Sequence, residues 1–161
     1  MRRRCGLSAI ARPLALVGAA GADDEPRARD RAAFAGMRQE PLAIEAGGRR
    51  VTLLARVAAT SEPRAAGSPC ATSAEIREPR ILFDLGAEIQ TQFHMQNVQA
   101  ALDIAFVEAD GRIFAVFTME PSPTAVYGPH GPFRSAIEAR AGFFEGESIH
   151  HGVARLLAGA R

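Results

Sequence analysis

Residues 93–113 read FHMQNVQAALDIAFVEADGRI, an amide-rich turn running into an apolar strand that carries a lone Asp103 and ends in Asp110-Gly111. Leu102 to Glu108 and Arg112 to Met119 are both β-rich, and Asp-Gly between two such runs is a strong hairpin signal. In the two-residue form of that turn both positions take positive φ, which Asp and Gly accept. The stretch therefore predicts two neighbouring antiparallel strands.

Upstream, Leu42, Ile44 and Ala46 alternate before Gly47-Gly48, and Val51, Leu53, Ala55 and Val57 alternate after it. Period-2 patterning on both sides of a Gly-Gly pair predicts a second hairpin. Thr60 to Gly67 follows, with a capping hydroxyl, an acid and a proline in its first turn and a glycine stop, so a short helix of about two turns is expected. A Ser/Pro/Thr-rich loop, Ser68 to Arg80, leads into the compact strand Ile81-Leu82-Phe83. Downstream, Pro121, Pro123, Pro129 and Pro132 punctuate a loop, and Ser135 to Ala139 and Val153 to Leu157 read as two last strands around a FFEGESIHHG turn region. Many short strands, one or two short helices and no βαβ rhythm predict a mainly β fold, a single antiparallel sandwich or barrel.

The 161 residues suit one domain with a real core and a leftover N-terminal segment. Residues 1–22 read as a secretory signal: Arg2, Arg3 and Arg4 form a basic start, Leu14 to Ala20 a short apolar run, and Ala20-Gly21-Ala22 a small-residue cleavage pattern. The expected location is the periplasm or cell envelope, and the cytoplasm if that leader is not used. Arg12-Pro13 breaks the wider apolar region, leaving too few continuous apolar residues, so no transmembrane segment is expected. Residues 23–40 are rich in Ala, Arg and Asp and read as a linker, and the β-rich domain is placed at 41–158.

Net charge is only +1, Trp is absent and Tyr127 is the one tyrosine, so neither a general basic field nor a stacking platform favours nucleic acid. Every one of the 19 basic residues is Arg, which excludes Schiff-base chemistry and a lysine general base. Cys5 and Cys70 form no metal-ligand spacing, His94, His130, His150 and His151 form no metal motif, and no cofactor is expected. There is no GxSxG and no phosphate-cradling glycine loop.

The ordered series Thr60 to Gly67, Ile81-Leu82-Phe83-Asp84, Phe93-His94-Met95-Gln96-Asn97, Leu102-Asp103-Ile104-Ala105-Phe106, Asp110-Gly111-Arg112, Met119-Glu120-Pro121 and Gly131-Pro132 resembles the domain of unknown function 192 family. Glu138, Ala141-Gly142 and Ile149 to Gly152 extend the resemblance, which covers about residues 41–158. It implies a compact β-rich domain, often behind a bacterial signal peptide, and no reaction. Family members read Phe-Trp-Met-Lys-Asn-Thr followed by Pro-Leu-Asp; here His94 stands for the Trp, Gln96 for the Lys, Val98 for the Thr and Ala101 for the Pro. His94 is read as filling the space of the larger aromatic.

The candidate ligand-binding residues are Gln96, Asn97, Asp103 and Glu120. Asp103 stands in a strand apolar on both faces, so it must be hydrogen-bonded, paired or set in a pocket. Gln96 and Asn97 supply amides one turn before it, Glu120 opens the proline loop at a strand end, and the 121–132 loop would form the wall. The function expected is a binding or accessory domain for a small polar ligand or a partner protein segment. Two alternatives stand beside it: a hydrolase using Asp103 and Glu120 as an acid/base pair, and a purely structural domain. No catalytic residue is assigned.

Overall fold

The computed structural model describes residues 31–61, 64 and 80–157. The signal-like leader, the first part of the expected linker and most of the Ser68 to Arg80 loop lie outside them.

Among the described residues the fold is mainly β with short helices. Its strands are β1 (Gln39–Ala46), β2 (Arg49–Ala58), β3 (Arg80–Ile89), β4 (Phe93–His94), β5 (Leu102–Val107), β6 (Ile113–Met119), β7 (Val126–Tyr127), β8 (Phe133–Arg140) and β9 (Arg155–Leu157). Helix α1 spans residues 31–36 and α2 is Phe143–Gly146. Seven strands form one sheet in the order β6-β5-β8-β3-β2-β1-β9, and β4 and β7 form a separate ribbon.

Both hairpins expected from the sequence are present. Gly47 and Gly48 take φ of 57° and 78°, so Ala46 pairs with Arg49 across a two-residue turn. The Asp110-Gly111 turn differs from the two-residue form. Only Gly111 has positive φ, at 90°; Gly111 N–H donates to Glu108 O at 3.0 Å and Glu108 N–H to Arg112 O at 3.0 Å. This is a type I turn closed by a glycine bulge, a three-residue loop in which Asp110 keeps an ordinary backbone and accepts the Arg112 N–H on its side chain at 2.8 Å.

Among the described strands one pairing is parallel, β2 with β3, where the connection through residues 59–79 is long enough for a crossover. Of the helix expected at Thr60 to Gly67, Thr60, Ser61 and Arg64 are among the described residues, and Arg64 N–H donates to Thr60 O at 3.1 Å; the rest of it lies outside them. The other strand pairs are antiparallel.

The sheet curls but does not close into a barrel. Its edges β6 and β9 meet at a single bridge, Arg112 to Arg155, reinforced by Ile113 N–H to Ala154 O, Gly152 N–H to Ile113 O and Leu156 N–H to Gly111 O. The curl gives the sheet an inside. Leu42 and Ile44 from β1, Leu53 from β2, Val107 from β5, Ile113 from β6 and Ile137 from β8 fill it, with Phe143, Phe144 and Ile149 plugging one end.

The opposite face of the sheet carries a second core. Ile81, Phe83, Leu102, Ile104, Phe106, Phe133 and Met119 point outward there and are covered by Met95, Val98, Phe93 and Tyr127 around the β4·β7 ribbon. Phe93 packs edge-on against Phe83 and Phe106, at centroid separations of 5.1 and 5.8 Å. Ala33, Phe34 and buried Met37 join the same core, so the end of the segment read as linker packs on the domain. Arg56 fixes it there, its guanidinium lying 4.7 Å over the Phe34 ring and donating to Phe34 O at 3.1 Å. Because β5 lies between the two cores, all six of its residues are buried.

Candidate functional site

Strand alternation decides where each candidate points. Asp103 shares its face with Ala105 and Val107, which belong to the inner core, and pairs laterally with Ala139 of β8 and Thr118 of β6. Its side chain is only 4% exposed, and the Thr118 hydroxyl donates to its Oδ1 at 2.8 Å. Arg80 precedes the Ile81 to Glu138 pair by one residue and so falls alongside Ala139. Its guanidinium lies 4.6 Å over the ring of Phe143, in the inner core. A row therefore crosses four strands on the inner face at one end of the curl: Arg80, Ala139, Asp103 and Thr118.

Adjacent strands stand about 4.8 Å apart, so Arg80 and Asp103 have backbones about 10 Å apart with only the methyl group of Ala139 between them. That spacing suits a long guanidinium side chain and a short carboxylate facing one small group of atoms. Sequence reasoning singled out Asp103 and missed Arg80 and Thr118. Neither has a local signature, because the sheet register alone brings three distant chain segments together.

Gln96 and Asn97 lie elsewhere. They form an exposed turn in which Val98 N–H donates to Met95 O at 3.2 Å and Asn97 takes φ of 64°. Asn tolerates that left-handed conformation better than most residues, which accounts for its place in the turn. The residues flanking the turn, Met95 and Val98, are buried in the outer core. Gln96 and Asn97 thus belong to the outer layer, and Asp103 points to the opposite face of the sheet.

Glu120 is exposed just beyond β6, two residues past Thr118. Its backbone is tied to the ribbon by Tyr127, whose hydroxyl accepts from Glu120 N–H at 3.1 Å and donates to Glu120 O at 3.2 Å. Since Phe93 pairs with Tyr127, this links the 121–132 loop to the strand that leads into the Gln96-Asn97 turn. His94 is exposed, and Phe93 beside it does the packing, so the histidine does not fill aromatic space as expected. His150 and His151 are both exposed in a turn.

A second buried acid, Glu138, was not singled out as a site residue. It is 6% exposed and faces the outer core between Ile81 and Ile104. Among the described residues, no group of three or more His, Cys, Asp or Glu side chains is placed to hold a metal ion. No described helix is long and apolar enough to cross a membrane.

The curled sheet with its two cores defines a small β domain, and comparison places it. The family model of the domain of unknown function 192, an uncharacterised family, matches residues 42–154, and the chain belongs to that family. Two solved structures share the fold. One, described as a "putative transcription regulator" from Sinorhizobium meliloti 1021, is 22% identical with a TM-score of 0.68, over 75% of this chain and 94% of that one. The other, a protein of unknown function from Novosphingobium aromaticivorans DSM 12444, is 22% identical with a TM-score of 0.67, over 76% of this chain and 87% of that one. At such identity the likeness is one of fold alone. No curated protein matches the chain.

Proposed function

We propose that the chain is an exported, envelope-associated binding domain that takes a small polar ligand at the inner-face row of Arg80, Asp103 and Thr118. The observation that carries this reading is a carboxylate kept at 4% exposure in an otherwise apolar strand, at the end of the curl rather than in its middle. Burying a carboxylate is costly unless donors surround it. Thr118 supplies one, and a carboxylate has room for about four. A ligand bearing an amine or amide N–H would supply others, and the Arg80 guanidinium in the same row suits an acceptor on that ligand. The basic start, apolar run and small-residue pattern of residues 1–22 support export.

A thermal-shift screen of polar compound classes on the full chain, run beside Asp103→Asn, tests the site. A ligand-induced rise in Tm that Asp103→Asn abolishes is the expected result, and no rise with any class would remove the reading. Cell fractionation with mass measurement of the N-terminus tests export separately.

The Thr118 to Asp103 hydrogen bond favours a second, purely structural reading. On that reading Asp103→Asn lowers Tm and leaves every ligand response unchanged.

A further inference from the structure

The outer edge of β6 has an unusual composition for an exposed strand. Among the described residues, β6 pairs with β5 on one side, and on its other side only the chain around Ile113 is engaged, by Gly152 and Ala154. From Phe114 to Thr118 every side chain is partly or fully exposed. Natural edge strands are blunted by charges, prolines or bulges that discourage further pairing. The run Phe114-Ala115-Val116-Phe117-Thr118-Met119 has no charged residue and no proline. Val153, two residues before β9 and between the Gly152 and Ala154 contacts to Ile113, is 71% exposed.

We infer that this edge pairs with its own copy, giving a symmetric dimer with antiparallel β6 strands. The register follows from what is already occupied. Ile113 is spent on Gly152 and Ala154, and the Glu120 backbone on the Tyr127 hydroxyl, so the backbone ladder runs over residues 115–119 and centres on Phe117. Phe117 then meets Phe117 of the second copy, Ala115 meets Met119, Val116 meets Thr118, and the side chains of Phe114 and Glu120 lie opposite one another just beyond the ladder. An aromatic pair on the two-fold axis and two Val-Thr pairs are favourable cross-strand neighbours. A two-fold interface of this kind uses the same edge on both copies and so closes after two.

Charge selects the antiparallel orientation. The apolar run is preceded by Arg112 and followed by Glu120. In the antiparallel dimer Glu120 of each copy lies diagonal to Arg112 of the other, within reach of two long side chains, and close to Arg155 at the bridge. A parallel arrangement would set like charges together at each end. Arg112 is already held by Glu108 through two contacts of 2.7 Å, so it presents a fixed guanidinium rather than a mobile one. These charges set orientation and register, while the backbone ladder and Phe117 supply the affinity.

Analytical ultracentrifugation of the full chain across a concentration series tests the inference. The wild type should sediment as a monomer–dimer equilibrium, and Phe117→Arg should give a monomer with an unchanged far-UV spectrum. Glu120→Arg should weaken the dimer about threefold or more, the size expected from two lost charge pairs. Mixing Glu120→Arg with Arg112→Glu should restore the dimer, because each charge then faces its opposite. A wild type that stays monomeric at the highest concentration overturns the inference. So does a dimer that Glu120→Arg leaves unchanged and the mixture does not alter. If Phe117→Arg unfolds, the two charge variants and their mixture decide the matter alone.

Discussion

Asp103 and Glu138 stand one residue out of step on adjacent strands, for Asp103 pairs with Ala139 and Ile104 pairs with Glu138. Yet they are buried in different cores. Asp103 turns to the inside of the curl, where Thr118 donates to it, and Glu138 turns to the outer layer between Ile81 and Ile104. A one-residue offset in a strand moves a side chain through the sheet, so neighbours in sequence or in pairing need not share a site. The same rule separates Asp103 from Gln96 and Asn97, which the sequence sets only a few residues away.

The comparison predicts first that the two cores can be weakened independently. Phe106 is fully buried and meets Phe93, Phe117 and Phe133 at centroid distances of 5.8, 5.7 and 4.8 Å. Phe106→Ala should cost about 3–5 kcal/mol in chemical denaturation and loosen the β4·β7 ribbon. Ile137→Ala on the inner face should cost about 2–5 kcal/mol and leave the ribbon's amide exchange unchanged. Ribbon exchange that rises equally in both variants would merge the two cores into one cooperative unit.

Next in size is the seam that gives the sheet an inside. A Cβ on Gly111 would stand 2.3 Å from Leu156 O, and its φ of 90° disfavours any side chain. Gly111→Ala should therefore cost about 1–3 kcal/mol and open the hydrogen bond from Leu156 N–H to Gly111 O. Protection of the Leu156 amide, read by hydrogen exchange, reports that opening. Undiminished protection would mean that the edges are held by something other than this contact.

An effect of similar size separates the two acids. Thr118→Val removes the donor at 2.8 Å from Asp103 without changing side-chain volume much and should cost about 1–3 kcal/mol. Combining it with Asp103→Asn in a double-mutant cycle should show coupling, and combining it with Glu138→Gln should show additivity, since Glu138 faces the other core. Coupling to Glu138 would contradict the assignment of the two acids to separate faces.

Much of this was legible in the chain, for definite reasons. Gly47-Gly48 and Asp110-Gly111 marked both hairpins because glycine at positive φ is a local requirement, visible without knowing what packs on the turn. The burial of β5 was legible because Leu102 to Val107 offers no polar face except Asp103 itself. Illegible features depended on register. The β4·β7 ribbon has two residues per strand and no periodicity to read, α2 sits in a segment read as a turn, and Arg80 reaches the Asp103 row only through the order β3-β8-β5. Met37 and Phe34 were hidden by a charged, Ala-rich surrounding whose composition resembles a tether, although Arg56 anchors that segment.

The smallest effect belongs to the turn itself and probes the seam from its solvent side. The Asp110 carboxyl sits below its ordinary value of 3.8, chiefly because it accepts the Arg112 backbone N–H, with the nearby charge of Arg155 at 3.2 Å acting in the same direction. A carboxyl lowered in the folded state contributes stability above its unfolded value and loses it as pH falls through the folded one. Asp110→Ala should therefore lower Tm slightly at neutral pH, and the gap from wild type should narrow below about pH 3.8 as the carboxyl takes up a proton. The group is fully exposed, so added salt should shrink the Arg155 share while sparing the backbone hydrogen bond. Asp110→Asn distinguishes the two shares, for its amide oxygen can still accept the Arg112 N–H but carries no charge for Arg155. A Tm near wild type in Asn and a lower one in Ala would assign the turn's stability to the local hydrogen bond. Equal losses in both would assign it to the ion pair that helps hold β9 against β6.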